Sequence, residues 1–105
     1  MAALLINEAA VLEALKDVID PELGVNVVDL GLIYEVAIDG NDIHITMTLT
    51  TPGCPLHESI AEAVDQVLRL MLPGVGGVAV DLVWDPPWTP ALISEQGRWE
   101  LGWRE

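Results

Sequence analysis

The stretch Thr50-Thr51-Pro52-Gly53-Cys54-Pro55-Leu56-His57 marks the point where one hydrophobic period replaces another. Before it, Ile43, Ile45, Met47 and Leu49 alternate with His44, Thr46, Thr48 and Thr50, the period-two pattern of a strand with one buried face. After it, Leu56, Ile60, Val64, Val67, Leu68 and Met71 recur at helical spacing. Pro55 suits the first helical position, where its missing N–H leaves no bond unmade. Cys54 then falls at or beside the N-cap, where unpaired amides and the positive end of the helix dipole favour a thiolate. It is the only cysteine in the chain. A buried structural role is equally open to it, since free cysteines are among the most buried side chains.

On the amino-terminal side of this switch, Tyr34, Val36 and Ile38 alternate with Glu35, Ala37 and Asp39. Asp39-Gly40-Asn41-Asp42 has turn chemistry, so the two strands are expected to pair as an antiparallel hairpin. His44 falls on its polar face as a surface residue. On the other side, the helix is expected from about Pro55 to Leu72, ending at Pro73-Gly74. Gly74, Gly76 and Gly77 read as a flexible connection. They lack the Lys-Ser/Thr of a nucleotide phosphate loop and lead into no helix. Val78, Val80, Leu82 and Trp84 then alternate as a third strand, and a strand–helix–strand path favours a right-handed crossover.

Nearer the amino terminus, Asn7 reads as an N-cap. It precedes a helical stripe of Val11, Leu12, Leu15, Val18 and Ile19, which is expected to stop at Asp20 because Pro21 follows. Residues 20–33 are too apolar for a linker and too irregular for one element. They predict an ordered loop, with Asp29 read as a solvated acid of a structural crossover. The tail from Asp85 begins with prolines that keep it extended or turned. Ser94 is expected to cap a short last helix and Gly102 to close it. The tail carries Trp88, Trp99 and Trp103. Trp88 is read as a cover over the core, whereas tryptophan in general is also enriched at partner surfaces.

The 105 residues are enough for one domain, 1–105, and one core. Seventeen acids against four Lys and Arg leave a net charge of −13. No cationic surface exists to neutralise phosphates, which argues against nucleic acid and anionic membranes as partners. A cation, a metal centre or a basic protein surface fits better. One cysteine cannot form an internal disulfide, which points to a reducing compartment. The opening MAALLINEAA has no positive n-region and is interrupted by Glu8, unlike a signal peptide. No apolar run is long enough to span a bilayer. The expected location is the cytoplasm.

Structural zinc calls for four Cys or His ligands, and the chain has one Cys and two His. Cys54 and His57 would occupy neighbouring positions on a helix, the geometry of a nucleophile and base, but no third group is specified to orient them. A soft-metal role suits Cys54 better, because thiolates are the usual ligands of iron–sulfur clusters and a full cluster needs four ligands. One cysteine per chain can hold such a cluster only transiently, across a dimer, or jointly with a client protein.

The segments DPELGVNVVDLGLIYEV, TTPGCPL and WDPPWTPALISEQGRWELG, in that order, resemble the small metal–sulfur cluster assembly family that includes SufT and the PaaD-type proteins. The resemblance runs from about Val11 to Gly102. It implies an α+β fold: a two-layer α-β-β-α-β arrangement with a three-stranded mixed sheet, helices packed on one face and a short C-terminal helix, in the element order read above. It implies a non-enzymatic role in maturing iron–sulfur proteins, with a cluster or iron as transient cofactor. The partners it implies are the iron–sulfur assembly machinery and apo client proteins, with a homodimer as a further state. By resemblance Cys54 is the functional cysteine and metal ligand, Asp20 and Glu22 are the acids of the DPE turn, and Thr50 and Thr51 adjoin the cysteine. His57, one turn on, completes the expected surroundings. The sequence carries neither the cysteine-rich extension usual in PaaD-type proteins nor the phosphate-loop module of cluster-carrier ATPases, which leaves the stand-alone SufT-like form. Gly97 and Trp99 depart from the alanine-and-charged pattern expected there. The alternatives are a thiol enzyme using Cys54 and His57, and a metal-free adaptor in a multiprotein complex.

Overall fold

In the computed structural model, which describes residues 6–20, 23–50 and 57–102, with 57 and 58 by backbone alone, Asn7 opens the first helix. Its Oδ1 accepts from the Ala10 amide at 2.8 Å, meeting one of the amide donors a helix start leaves unpaired. Helix α1, Glu8–Leu15, buries Val11, Ala14 and Leu15. It ends short of the expected Asp20. The amides of Asp17 and Val18 reach back to the Ala14 and Leu15 carbonyls, bonds that tighten a last turn. From there the backbone pairs with the following loop: Val27 N donates to Val18 O, Asp20 N to Val25 O, and Ile19 bridges Asn26. That pairing competes with helix and takes Ile19 out of the apolar stripe, leaving it 50% exposed.

Strands β1, Ile33–Asp39, and β2, Asp42–Met47, form the antiparallel hairpin. An irregularity between Ile33 and Glu35 shifts the register. As a result Ile33, Val36 and Ile38 pack on the core. Tyr34, expected in that row, instead donates its hydroxyl to the Pro86 carbonyl at 2.8 Å. A bulge of this kind re-aims a side chain without ending the pairing.

Helix α2, His57–Met71, connects β2 to β3, Val78–Leu82. Strand β3 lies parallel to β2, so the order is β1-β2-β3 and the sheet is mixed. Ile60, Val64 and Leu68 of α2 join Val11 and Leu15 of α1 over Ile43, Ile45 and Met47 of β2 in one buried cluster. The fold is therefore of the α+β class, with both long helices on one side of the sheet.

The glycine connection before β3 is tied down rather than free. Gly76 N donates to Asn41 O, and Gly77 N to Asp42 Oδ1, each at 2.7 Å. Arg69 Nη1 holds the Gly76 carbonyl at 3.0 Å. Beyond β3 the chain passes through a 3₁₀ turn, Pro90–Leu92, into α3, Glu95–Glu100. Ser94 Oγ caps α3 by accepting from Gly97 N at 3.0 Å. Gly102 follows at φ 80 with its amide on Trp99 O, as its sequence position predicts.

Candidate functional site

Asp20 sits where the chain leaves the α1 region. It is 2% exposed, and its Oδ1 accepts from the Leu23 amide at 3.2 Å. Its amide bonds Val25 O, and its carbonyl accepts from Gly24 N at 2.7 Å. The first acid of the DPE turn is thus held inside a closed loop, with part of its acceptor capacity used by backbone. A buried carboxylate needs such donors, because an unpaired one would carry a large desolvation cost.

At the other approach to the site, Thr50 is half-buried and is the last described residue before α2. Glu22, Thr51 and Cys54 lie outside the described residues, as does the His57 side chain, although the His57 backbone begins α2. Of the expected constellation, Asp20, Thr50 and the start of α2 are therefore the described parts. Among the described residues no three of His, Cys, Asp and Glu come together as a metal-binding group.

Thr48, two positions before Thr50, has a role that its place in the alternation conceals. It is expected on the polar face with Thr46, yet it is fully buried. Its amide donates to Leu32 O at 2.9 Å, while its Oγ1 has no hydrogen-bond partner among the described residues. An unpaired buried hydroxyl costs about 1–3 kcal/mol. The Thr46-Thr48-Thr50 run offers no local signal that its middle member is enclosed.

The loop bearing Asp20 is also the seat of the C-terminal tail. Asp29 is not a solvated acid. It is 9% exposed, with Oδ2 accepting from Asn26 Nδ2 at 2.7 Å and Oδ1 from Ser94 Oγ at 2.8 Å. Asn26 Oδ1 accepts in turn from the Asp29 amide. Trp88 covers the core as expected, and its Nε1 donates to Leu30 O at 2.6 Å. Gly97, the departure noted in the last helix, is buried against Ile93 and Asp29: a Cβ there would lie 2.8 Å from Ile93 Cγ2 and 3.0 Å from Asp29 O. The glycine is what allows α3 to approach the loop. His44 is on the surface as expected, its Nε2 lying 2.8 Å from Asp81 Oδ2.

Residues 8–81 match the model of the family described as iron–sulfur cluster assembly protein. The chain is 46% identical over 93 residues to the Fe-S protein maturation auxiliary factor YitW of Bacillus subtilis (strain 168), covering 88% of this chain and 90% of that protein. It is 42% identical over 86 residues to the Fe-S protein maturation auxiliary factor SufT of Staphylococcus aureus (strain USA300), covering 81% and 97%. The crystal structure of a domain of unknown function, DUF59, from Bacillus anthracis matches the fold with a TM-score of 0.87 at 43% identity, covering 92% of each chain. Among the described residues no helix is long and apolar enough to cross a membrane.

Proposed function

This chain belongs to the iron–sulfur cluster assembly protein family, and from that premise we propose that it is a non-enzymatic factor in the assembly of iron–sulfur clusters or their transfer to apo client proteins. The observation that carries the reading is the reach of the similarity. It extends over 90% and 97% of two small proteins named as maturation auxiliary factors, so the likeness is to whole proteins of that kind.

In this reading the cluster, or iron, is cargo and Cys54 is its ligand. Asp20, Glu22, Thr50, Thr51 and His57 form the surroundings. Support for Asp20 comes from its buried carboxylate in a loop braced by backbone bonds, a hard oxygen donor that would complement a soft sulfur. Ligand counting shapes the rest. A cluster takes four protein ligands, and one cysteine per chain leaves positions for a second copy, a small thiol or a client. An incomplete ligand set suits handing cargo on more than storing it. The partners are then the assembly machinery and apo clients, in the reducing cytoplasm that an unpaired thiol fits.

The test is anaerobic reconstitution with iron and sulfide, read by absorption and Mössbauer spectra and by light scattering after size exclusion. Wild type is expected to hold a cluster weakly as a monomer and more firmly as a bridged dimer or with a client. Cys54→Ser is expected to hold none. A cluster held tightly by a strict monomer, or one that survives Cys54→Ser, overturns the assignment.

A further inference from the structure

The sheet has two faces and the long helices occupy one of them. The other carries, row by row across the strands, Asp39 and Asp42; then Ala37, His44 and Ala79; then Glu35, Thr46 and Asp81. Every one of these residues is exposed except Thr46, which is half-buried. Alternation along a strand sends successive side chains to opposite faces, so this surface is as fully specified as the core beneath it. Its composition differs sharply from that of a merely solvated face. Four carboxylates stand on it, and the Lys and Arg among the described residues, Lys16, Arg69 and Arg98, all lie outside the strands.

The face also has relief. At its hairpin end is a depression of about 560 Å³ whose lining includes Ala37, Asp39, Asp42, His44, Gly77 and Ala79. It exists because the row crossing the three strands is built from two alanines and one histidine, with Gly77 at the corner. The His44 ring reaches along the sheet to Asp81, away from the Asp39 and Asp42 row. Asp42 spends one oxygen, Oδ1, on the Gly77 amide, which holds that wall in place. The Asp39 carboxylate makes no hydrogen bond or ion pair with any described residue, while its main chain stays in the β1–β2 pairing. A small apolar floor with a fixed acidic wall, in the roughly 300–1,000 Å³ range of binding pockets, is complementary to the aliphatic stem and cationic head of a Lys or Arg side chain.

We propose that this uncovered sheet face docks a basic segment of a partner protein, with one Lys or Arg side chain seated in the depression beside Asp39 and Asp42 and a second opposite Glu35 and Asp81. Charge decides between occupants. A second copy would bring the same carboxylates against themselves and a net charge of −13 against −13. An anionic lipid surface would be repelled likewise. A cationic protein segment meets complementary charge and gains in encounter rate and orientation. The inference stands on the shape and charge of the sheet and not on the cluster reading, so either can fail without the other.

The probe is a synthetic peptide of alternating arginine and alanine, titrated into the ¹⁵N-labelled full chain at about 0.15 M salt, where screening over roughly 8 Å suppresses diffuse attraction. Amide shifts are expected to concentrate at Ala37, His44, Gly77 and Ala79. The double variant Glu35→Lys/Asp39→Lys is expected to weaken binding about tenfold, and Asp39→Asn alone about threefold. Asp17→Lys/Glu62→Lys makes the same change in net charge on exposed positions of the helical side and is expected to weaken binding less than about threefold. Equal losses in the two double variants, shifts spread over the helical layer, equal binding of a control peptide of alternating glutamate and alanine, or no binding at millimolar peptide would each overturn the proposal. Native amide dispersion in each variant shows that a loss of binding is not a loss of fold.

Discussion

Ser94 and Asp29, 65 positions apart, are joined twice: the Ser94 hydroxyl donates to Asp29 Oδ1 at 2.8 Å, and the Ser94 amide donates to the Asp29 main-chain carbonyl at 2.7 Å. The same hydroxyl oxygen caps α3 by accepting from Gly97 N. One serine therefore starts the last helix and fastens it to the loop that carries Asp20. The tail is part of the scaffold that holds one edge of the candidate site.

Asp29→Ala removes the acceptor of both Ser94 Oγ and Asn26 Nδ2 and leaves two enclosed donors to find other partners. A loss of about 2–4 kcal/mol in urea unfolding is expected, with a melting temperature lower by about 4–8 °C for each kcal/mol. Asp29→Asn retains the shape and one acceptor and is expected to lose less. A change below about 1 kcal/mol for the alanine variant would show that the Asp29 side chain adds little to the main-chain bond and packing that hold the tail.

Gly31 and Gly40 both have positive φ, 79 and 62, but their surroundings differ. A Cβ on Gly40 meets nothing within 4 Å, whereas one on Gly31 would overlap the Leu92 carbonyl oxygen. Gly40→Ala is expected to cost about 1–2 kcal/mol, the backbone penalty of the left-handed region. Gly31→Ala should cost clearly more, because the 3₁₀ turn at Pro90–Leu92 must also move. Equal destabilisation in thermal scans would mean that the tail yields freely at Leu92.

Asp20 braces its loop through backbone bonds, and the proposed function gives it a second, separable duty toward iron. Asp20→Ala removes the acceptor for Leu23 N, and a stability loss of about 1–2 kcal/mol is expected. Asp20→Asn retains an acceptor oxygen and should unfold within about 1 kcal/mol of wild type, yet take up less iron in anaerobic reconstitution, because the anionic donor is gone. Unchanged iron uptake in the Asn variant would assign Asp20 to bracing the loop alone.

Asp42→Ala frees the Gly77 amide. Hydrogen exchange at Gly77 is expected to quicken by about tenfold, equivalent to about 1.4 kcal/mol of local opening, with exchange in α1 unchanged. Uniform acceleration through the sheet would show that the contact supports the whole hairpin.

Much of this architecture is written in neighbours a few residues apart. The alternation at 43–49, the helical stripe through Ile60, Val64 and Leu68, and the caps Asn7 and Ser94 all act within one turn or one strand pair. Their energies are local, so their outcomes were legible without any knowledge of the rest of the chain. The change from strand to helix between β2 and α2 was legible in the same way, and the chain's one thiol falls in sequence between them.

The element order and the two-layer pattern therefore follow from local periodicity and capping along the chain. The tertiary structure alone decided which polar groups are enclosed and by what. Asp29 is buried because Ser94 and Asn26 meet it, Tyr34 leaves the core row because of a bulge opposite Met47, Ile19 becomes exposed because its backbone pairs with Asn26, and Gly76 and Gly77 are held because the hairpin turn lies beside them. Local periodicity reports how a side chain is aimed relative to its neighbours in sequence. Burial and satisfaction depend on groups brought near by chain folding over tens of residues, and no local pattern encodes that distance.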